Sequence, residues 1–148
     1  MAVPENEAIV RDQIRLLDDG EVVGSANLFA ESGTNHGMSV TRDQIEIVLH
    51  SLRQAMPDSA TEILEMMSDG DVVACRIEVT GTHQGTPDLP FVAGGVFAAV
   101  EPTGTRVTTT QIHWYRIVEG KIVEHWANRD DLGVARQLGI VEGIPARA

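Results

Sequence analysis

The sequence predicts an α+β fold, because helical periodicity fills its early part, strand-like alternation takes over from Glu62, and a short helix closes the chain. Helices followed by strands with short turns between them imply a largely antiparallel sheet with the N-terminal helices across one face. A curved sheet covered in this way leaves a cavity at its open end.

Pro4 to Leu17 places Ile9, Ile14, Leu16 and Leu17 among charged residues, which reads as an amphipathic first helix stopped by Asp19-Gly20. A second short helix is expected from Glu21 to Phe29, and the polar stretch from Glu31 to Gly37 is expected to be a loop. Thr41 has the character of an N-cap with Gln44 three residues on, and Ile45, Val48, Leu49 and Leu52 follow at helical spacing up to Met56-Pro57. Strands are expected from Glu62 to Met67, Val72 to Gly81, Phe91 to Val100, Arg106 to Val118 and Lys121 to Asn128. Asp69-Gly70, Thr82 to Pro90, Pro102-Thr103-Gly104 and Glu119-Gly120 supply the connections. A last helix from Asp131 to Leu138 ends at Gly139, with Asp130 or Asp131 placed to cap it.

With 148 residues, 43% of them hydrophobic, the chain fits one domain over residues 1–148. Its net charge of -11, with Lys121 as the single lysine, supplies no basic face and excludes a nucleic-acid partner. Cys75 is the one cysteine and cannot form an internal disulfide, and no apolar run approaches the roughly 20 residues of a membrane helix. The N-terminus has no signal-peptide pattern, so a soluble protein in the cytoplasm, with no membrane contact, is expected. The histidines show no zinc-like spacing and the glycines no strand-GxGxxG-helix unit, so neither a metal nor a nucleotide cofactor is expected.

Motifs in a fixed order carry a resemblance: Asn35-His36, Met56-Pro57-Asp58, Gly70-Asp71-Val72-Val73, Gly81-Thr82-His83-Gln84-Gly85 and Pro102-Thr103-Gly104-Thr105-Arg106-Val107. The long run from Tyr115 to Trp126 follows, then Leu132-Gly133 and Gln137-Leu138-Gly139. Together they resemble the SnoaL-like polyketide cyclase family, within the NTF2-like group of cone-shaped barrels. The resemblance implies cofactor-free chemistry on an aromatic polyketide, by default an intramolecular aldol ring closure with a pocket carboxylate as general acid and base. In the cyclases that aspartate lies just after the tryptophan of the last strand. Here Trp126 is followed by Ala127, Asn128 and Arg129, so the carboxylate is missing.

Removing a proton beside a carbonyl needs a base near the substrate and hydrogen-bond donors where enolate charge develops. Gln111 and His113 share a strand face with Thr109, Tyr115 and Ile117, and both match pocket positions of the cyclases. His113 is the candidate acid/base group or substrate hydrogen bonder; the alternative is a packed or surface histidine. A two-residue turn at Glu119-Gly120 would set Trp126 opposite His113 and Asn128 opposite Gln111, making both pocket contacts. A longer loop with a bulge at Gly120 would turn His125 and Ala127 inward instead, and the resemblance favours that register. His125 is then a second candidate base. Asp130 and Asp131 are candidate replacement acids or helix caps, and of the two Asp130 is the catalytic candidate. Asn35 could bind a carbonyl at the cavity mouth or simply form a turn, while His36 and His83 are expected to be structural and His50 solvated.

Three functions follow from these expectations. The first is a polyketide cyclase. The second keeps the pocket but takes part in hydroxylating an anthracycline-like ring, with a separate reductase. The third is a non-catalytic small-molecule binding protein. Association through the exposed sheet face as a homodimer or homotetramer is also expected.

Overall fold

The computed structural model describes residues 3–89 and 94–141. Helix α1 (Val3–Asp18) buries Val10, Ile14 and Gln13 on one face, as its period requires, and Gly20 at φ 80° ends the segment. Helix α2 (Val22–Ala26) is shorter than expected, because the chain leaves it at Asn27 to join the sheet. The expected loop from Glu31 to Gly37 is instead strand β1 (Phe29–Asn35), paired with β2 (Met38–Thr41) through a tight turn. His36 and Gly37 occupy that turn with φ of 51° and 77°, the left-handed pair that two-residue hairpins require. Local pattern does not show this strand, because Glu31 to Asn35 are polar or glycine and one of its two partners, β6, is distant in sequence.

Thr41 caps helix α3 (Arg42–Ala55): its hydroxyl accepts from Gln44 N at 3.3 Å, while Gln44 Oε1 accepts from Thr41 N at 2.9 Å. Ile45 and Leu49 are buried beneath it. Strands β3 (Ala60–Asp69), β4 (Val72–Thr82), β5 (Arg106–Val118) and β6 (Lys121–Arg129) follow, and helix α4 (Asp131–Gln137) comes last. The six strands form one sheet in the order β2-β1-β6-β5-β4-β3. Every neighbouring pair is antiparallel except β1 and β6, which run parallel, so the sheet is mixed and open, with β2 and β3 as its edges.

The strand expected from Phe91 to Val100 is not formed in its described part. Residues 90–93 lie outside the described residues, and Gly95–Ala99 is a 3-10 turn entered through Gly95 at φ 60°. Strands β4 and β5 pair directly from Thr82–Arg106 onward, and Gly95–Ala99 belongs to the segment between them. Val96 and Phe97 from this segment pack with Met56, Val107, Val134 and Leu138 in a small second core. The main core, built from Val10, Leu49, Val73, Ile77, Tyr115 and Ile122, lies between the helices and the concave face of the sheet.

Candidate active site

Between the two cores lies a cavity of about 170 Å³ whose wall is mostly aliphatic and aromatic, including Ile14, Leu17, Val48, Leu52, Val79 and Phe97. Thr109, Gln111, His113 and Tyr115 reach it from β5, as two-residue alternation dictates. The residues that β6 contributes depend on its register. Glu119 and Gly120 form a two-residue turn with φ of 50° and 75°, and Val118 pairs with Lys121. Arg116 nevertheless pairs with Glu124 while Ile117 pairs with Ile122, so Val123 is an extra residue in the ladder. The tight turn of one register is therefore combined with the inward set of the other, because the bulge sits at Val123 rather than Gly120.

His125, Ala127 and Arg129 consequently face the cavity opposite Tyr115, His113 and Gln111. Trp126 and Asn128 are exposed on the outer face, where Trp126 pairs with Trp114 and donates to Glu124 at 2.9 Å. The structure does not bring these two expected substrate contacts into the cavity, since the bulge turns them outward. Asp130 is also outside: its Oδ1 accepts from Gly133 N at 2.9 Å and caps α4. Its neighbour Asp131 lines the cavity, 3.8 Å from Arg129.

The polar wall is a continuous chain. Gln111 Oε1 is 2.7 Å from His113 Nε2, His113 Nδ1 is 2.8 Å from His125 Nε2, and His125 Nδ1 is 2.9 Å from Asn35 Oδ1. Asn35 reaches this row because β1 pairs it with His125 in the parallel ladder. Tyr115 donates to Gln13 Oε1 at 3.3 Å, and Gln13 Nε2 donates to Ser25 Oγ at 3.0 Å. His36 stands edge-on to His125, with ring centres 6.0 Å apart.

Sequence reasoning missed Arg129 and Gln13. A signal existed for both: Arg129 is two residues beyond Ala127 and shares its face, and Gln13 is a polar residue on the buried stripe of α1 beside Val10 and Ile14.

Burial holds His113 down to about 4 from the usual 6.5, with repulsion from Arg129 and His36 acting the same way. Burial, then the charges of His113, His36 and Arg129, keep His125 well below the ordinary imidazole value. Both rings are thus neutral in the folded protein at pH 7, and an unfolded chain binds the protons that the folded one refuses. Stability is therefore full above about pH 6.5 and declines as pH falls from 6.5 towards 4. Urea midpoints at pH 7 and pH 4.5 should show this decline, and it should shrink in His113→Asn; an undiminished decline in the variant would assign it to other groups.

Among the described residues, no helix is long and apolar enough to cross a membrane, and no three His, Cys, Asp or Glu side chains are grouped to hold a metal ion. A family model described as SnoaL-like polyketide cyclase matches residues 7–138. Aklanonic acid methyl ester cyclase DnrD of Streptomyces peucetius is 34% identical over 89 residues, which are 60% of this chain and 54% of DnrD, so the match spans about half of that relative. AclR of Streptomyces galilaeus, a candidate hydroxylase, is 26% identical with a TM-score of 0.75, over 96% of this chain and 85% of AclR. IdmH of Streptomyces antibioticus, a candidate polyketide cyclase, shares the fold with a TM-score of 0.72 at 23% identity, over 90% of this chain and 98% of IdmH.

Proposed function

Because the chain belongs to the SnoaL-like polyketide cyclase family, we propose that it is a tailoring enzyme of aromatic, anthracycline-like polyketide biosynthesis, acting on a polycyclic intermediate without a bound redox cofactor. The observation that carries this reading is the Gln111-His113-His125-Asn35 chain set into the wall of an apolar cavity. The apolar wall suits a flat apolar ligand, and the polar row supplies the acid/base groups.

In ring closure, Gln111 yields His113 Nε2 to the substrate, and His113 takes a proton from the carbon beside a carbonyl. The electron pair moves to the carbonyl oxygen, where Gln111 N–H and the Arg129 guanidinium face the developing charge. The enolate carbon attacks a second carbonyl, and the resulting alkoxide takes the proton back from the imidazolium. A His113 held at about 4 has the basicity of an ordinary carboxylate, so it can replace the missing aspartate. It also becomes positive as the enolate becomes negative, which an apolar cavity favours over two like charges.

A second reading, hydroxylation with dioxygen and a separate reductase, is favoured by Ala127, which stands opposite His113 and offers a methyl group where the cyclases place their carboxylate. The likeness to AclR supports the same reading. Trp114 and Trp126, paired and exposed on the outer sheet face, support association as a homodimer or homotetramer. A single domain located in the cytoplasm completes the proposal.

The test is incubation of the purified protein with aklanonic acid methyl ester, the compound in the name of DnrD. The expected product is a cyclised isomer of unchanged mass. A product gaining one oxygen, formed only with dioxygen and a reductase, would move the assignment to hydroxylation. Saturable binding without turnover under either condition would make the protein a carrier.

A further inference from the structure

Hydrogens are scarce along the row of amides and imidazoles in the cavity wall. Three short contacts run along Asn35, His125, His113 and Gln111, and each needs one hydrogen. Two neutral imidazoles carry two N–H groups between them. With an amide oxygen at both ends, the row would need a third ring proton, and the pair would be an imidazolium sharing its charge. A neutral pair must obtain the third hydrogen from an amide, by a half-turn of either Gln111 or Asn35 that presents its NH₂ group. Two neutral arrangements therefore exist. With the Gln111 NH₂ inward, His113 Nε2 is a lone pair, and both rings donate towards Asn35. With the Asn35 NH₂ inward, both rings donate towards Gln111, and His113 Nε2 carries a hydrogen.

We infer that His113 and His125 act as one two-ring acid/base unit whose proton direction is set by the amides of Asn35 and Gln111, with His125 and Asn35 as positioning residues acting through His113. This rests on the reading of His113 as the acid/base group. A proton received at His113 Nε2 makes the His113 Nδ1–H shareable with His125 Nε2, so the charge spreads over two rings. His125 Nδ1–H remains on Asn35 Oδ1 throughout, which fixes the direction of the row. The arrangement with the Gln111 NH₂ inward is the base form; the same row, once His113 Nε2 has taken the proton, is the acid form.

Several charged or titratable groups face the pair. His36 approaches from the β1–β2 turn, Arg129 from β6, Tyr115 from β5 and Cys75 from β4, beside His113 in the ladder. Asp18 of α1, Arg53 of α3 and Asp131 of α4 line the same cavity. Tyr115 OH also lies within hydrogen-bond distance of the row, 3.4 Å from His113 Nδ1.

The test is an NMR titration of ¹⁵N-histidine-labelled protein, without substrate, on the wild type and Asn35→Asp. A carboxylate on His125 Nδ1 stabilises the shared charge, so the midpoints of both rings should rise together by about 1–3 pH units. The diagnostic signal is His113, which Asn35 does not touch. Gln111→Glu applies the same charge from the opposite end and should move His125 in turn; it also serves if Asn35→Asp does not fold. A shift confined to the ring touching the new carboxylate would overturn the two-ring unit. Because no substrate is present, coupled titration without any turnover would leave the unit standing while removing the enzymatic assignment.

Discussion

His113→Ala is expected to lower turnover of a polyketide ester by about 10²- to 10⁴-fold, the usual contribution of a positioned acid/base group. The loss should fall mainly on kcat, because the aliphatic wall that holds the substrate is untouched. His125→Ala should cost less, since that ring acts through His113 rather than on the substrate. Far-UV circular dichroism should be unchanged in both, as neither residue belongs to the apolar core. Turnover within a few-fold of wild type in His113→Ala would remove this residue from the chemistry and leave Arg129 and Asp131 as the polar groups to examine.

Tyr115→Ala is expected to be the most destabilising change at the site. The ring is only 2% exposed and lies in the main core, with His113 stacked at 5.9 Å and His125 at 5.0 Å between ring centres. Emptying that volume costs about 3–5 kcal/mol, and for a chain of this size the Tm should fall by roughly 10 °C. Tyr115→Phe should cost only about 1 kcal/mol, because it removes the hydroxyl bond to Gln13 and keeps the packing. Urea unfolding of the two variants separates these contributions. Equal losses would show that the hydrogen bond, and not the ring, dominates.

Much of this organisation was legible because its signals are local. The capping box at Thr41 and Gln44, the helical stripe below it and the inward set on β5 follow from spacings of three, four and two residues. The sequence leaves the cap of α4 open between Asp130 and Asp131; the structure assigns it to Asp130, which explains why that carboxylate does not serve the cavity. The second helix ends sooner than its sequence suggests, and a 3-10 turn stands in the described part of an expected strand, because Gly94 and Gly95 let the chain turn where its apolar residues suggest extension.

By itself the sequence determined the class of fold, the helices that cover the sheet and the face shared by Gln111, His113 and Tyr115, since alternation along one strand needs no partner. Only the tertiary structure decided which residues of the last strand join them. The extra residue at Val123 depends on the neighbouring strand β1, where a side chain at Gly33 would sit 2.4 Å from the Val123 carbonyl oxygen. A bulge shifts one strand by a single residue without changing its composition or its period. It therefore exchanges Trp126 and Asn128 for His125, Ala127 and Arg129 through backbone pairing that no local pattern records.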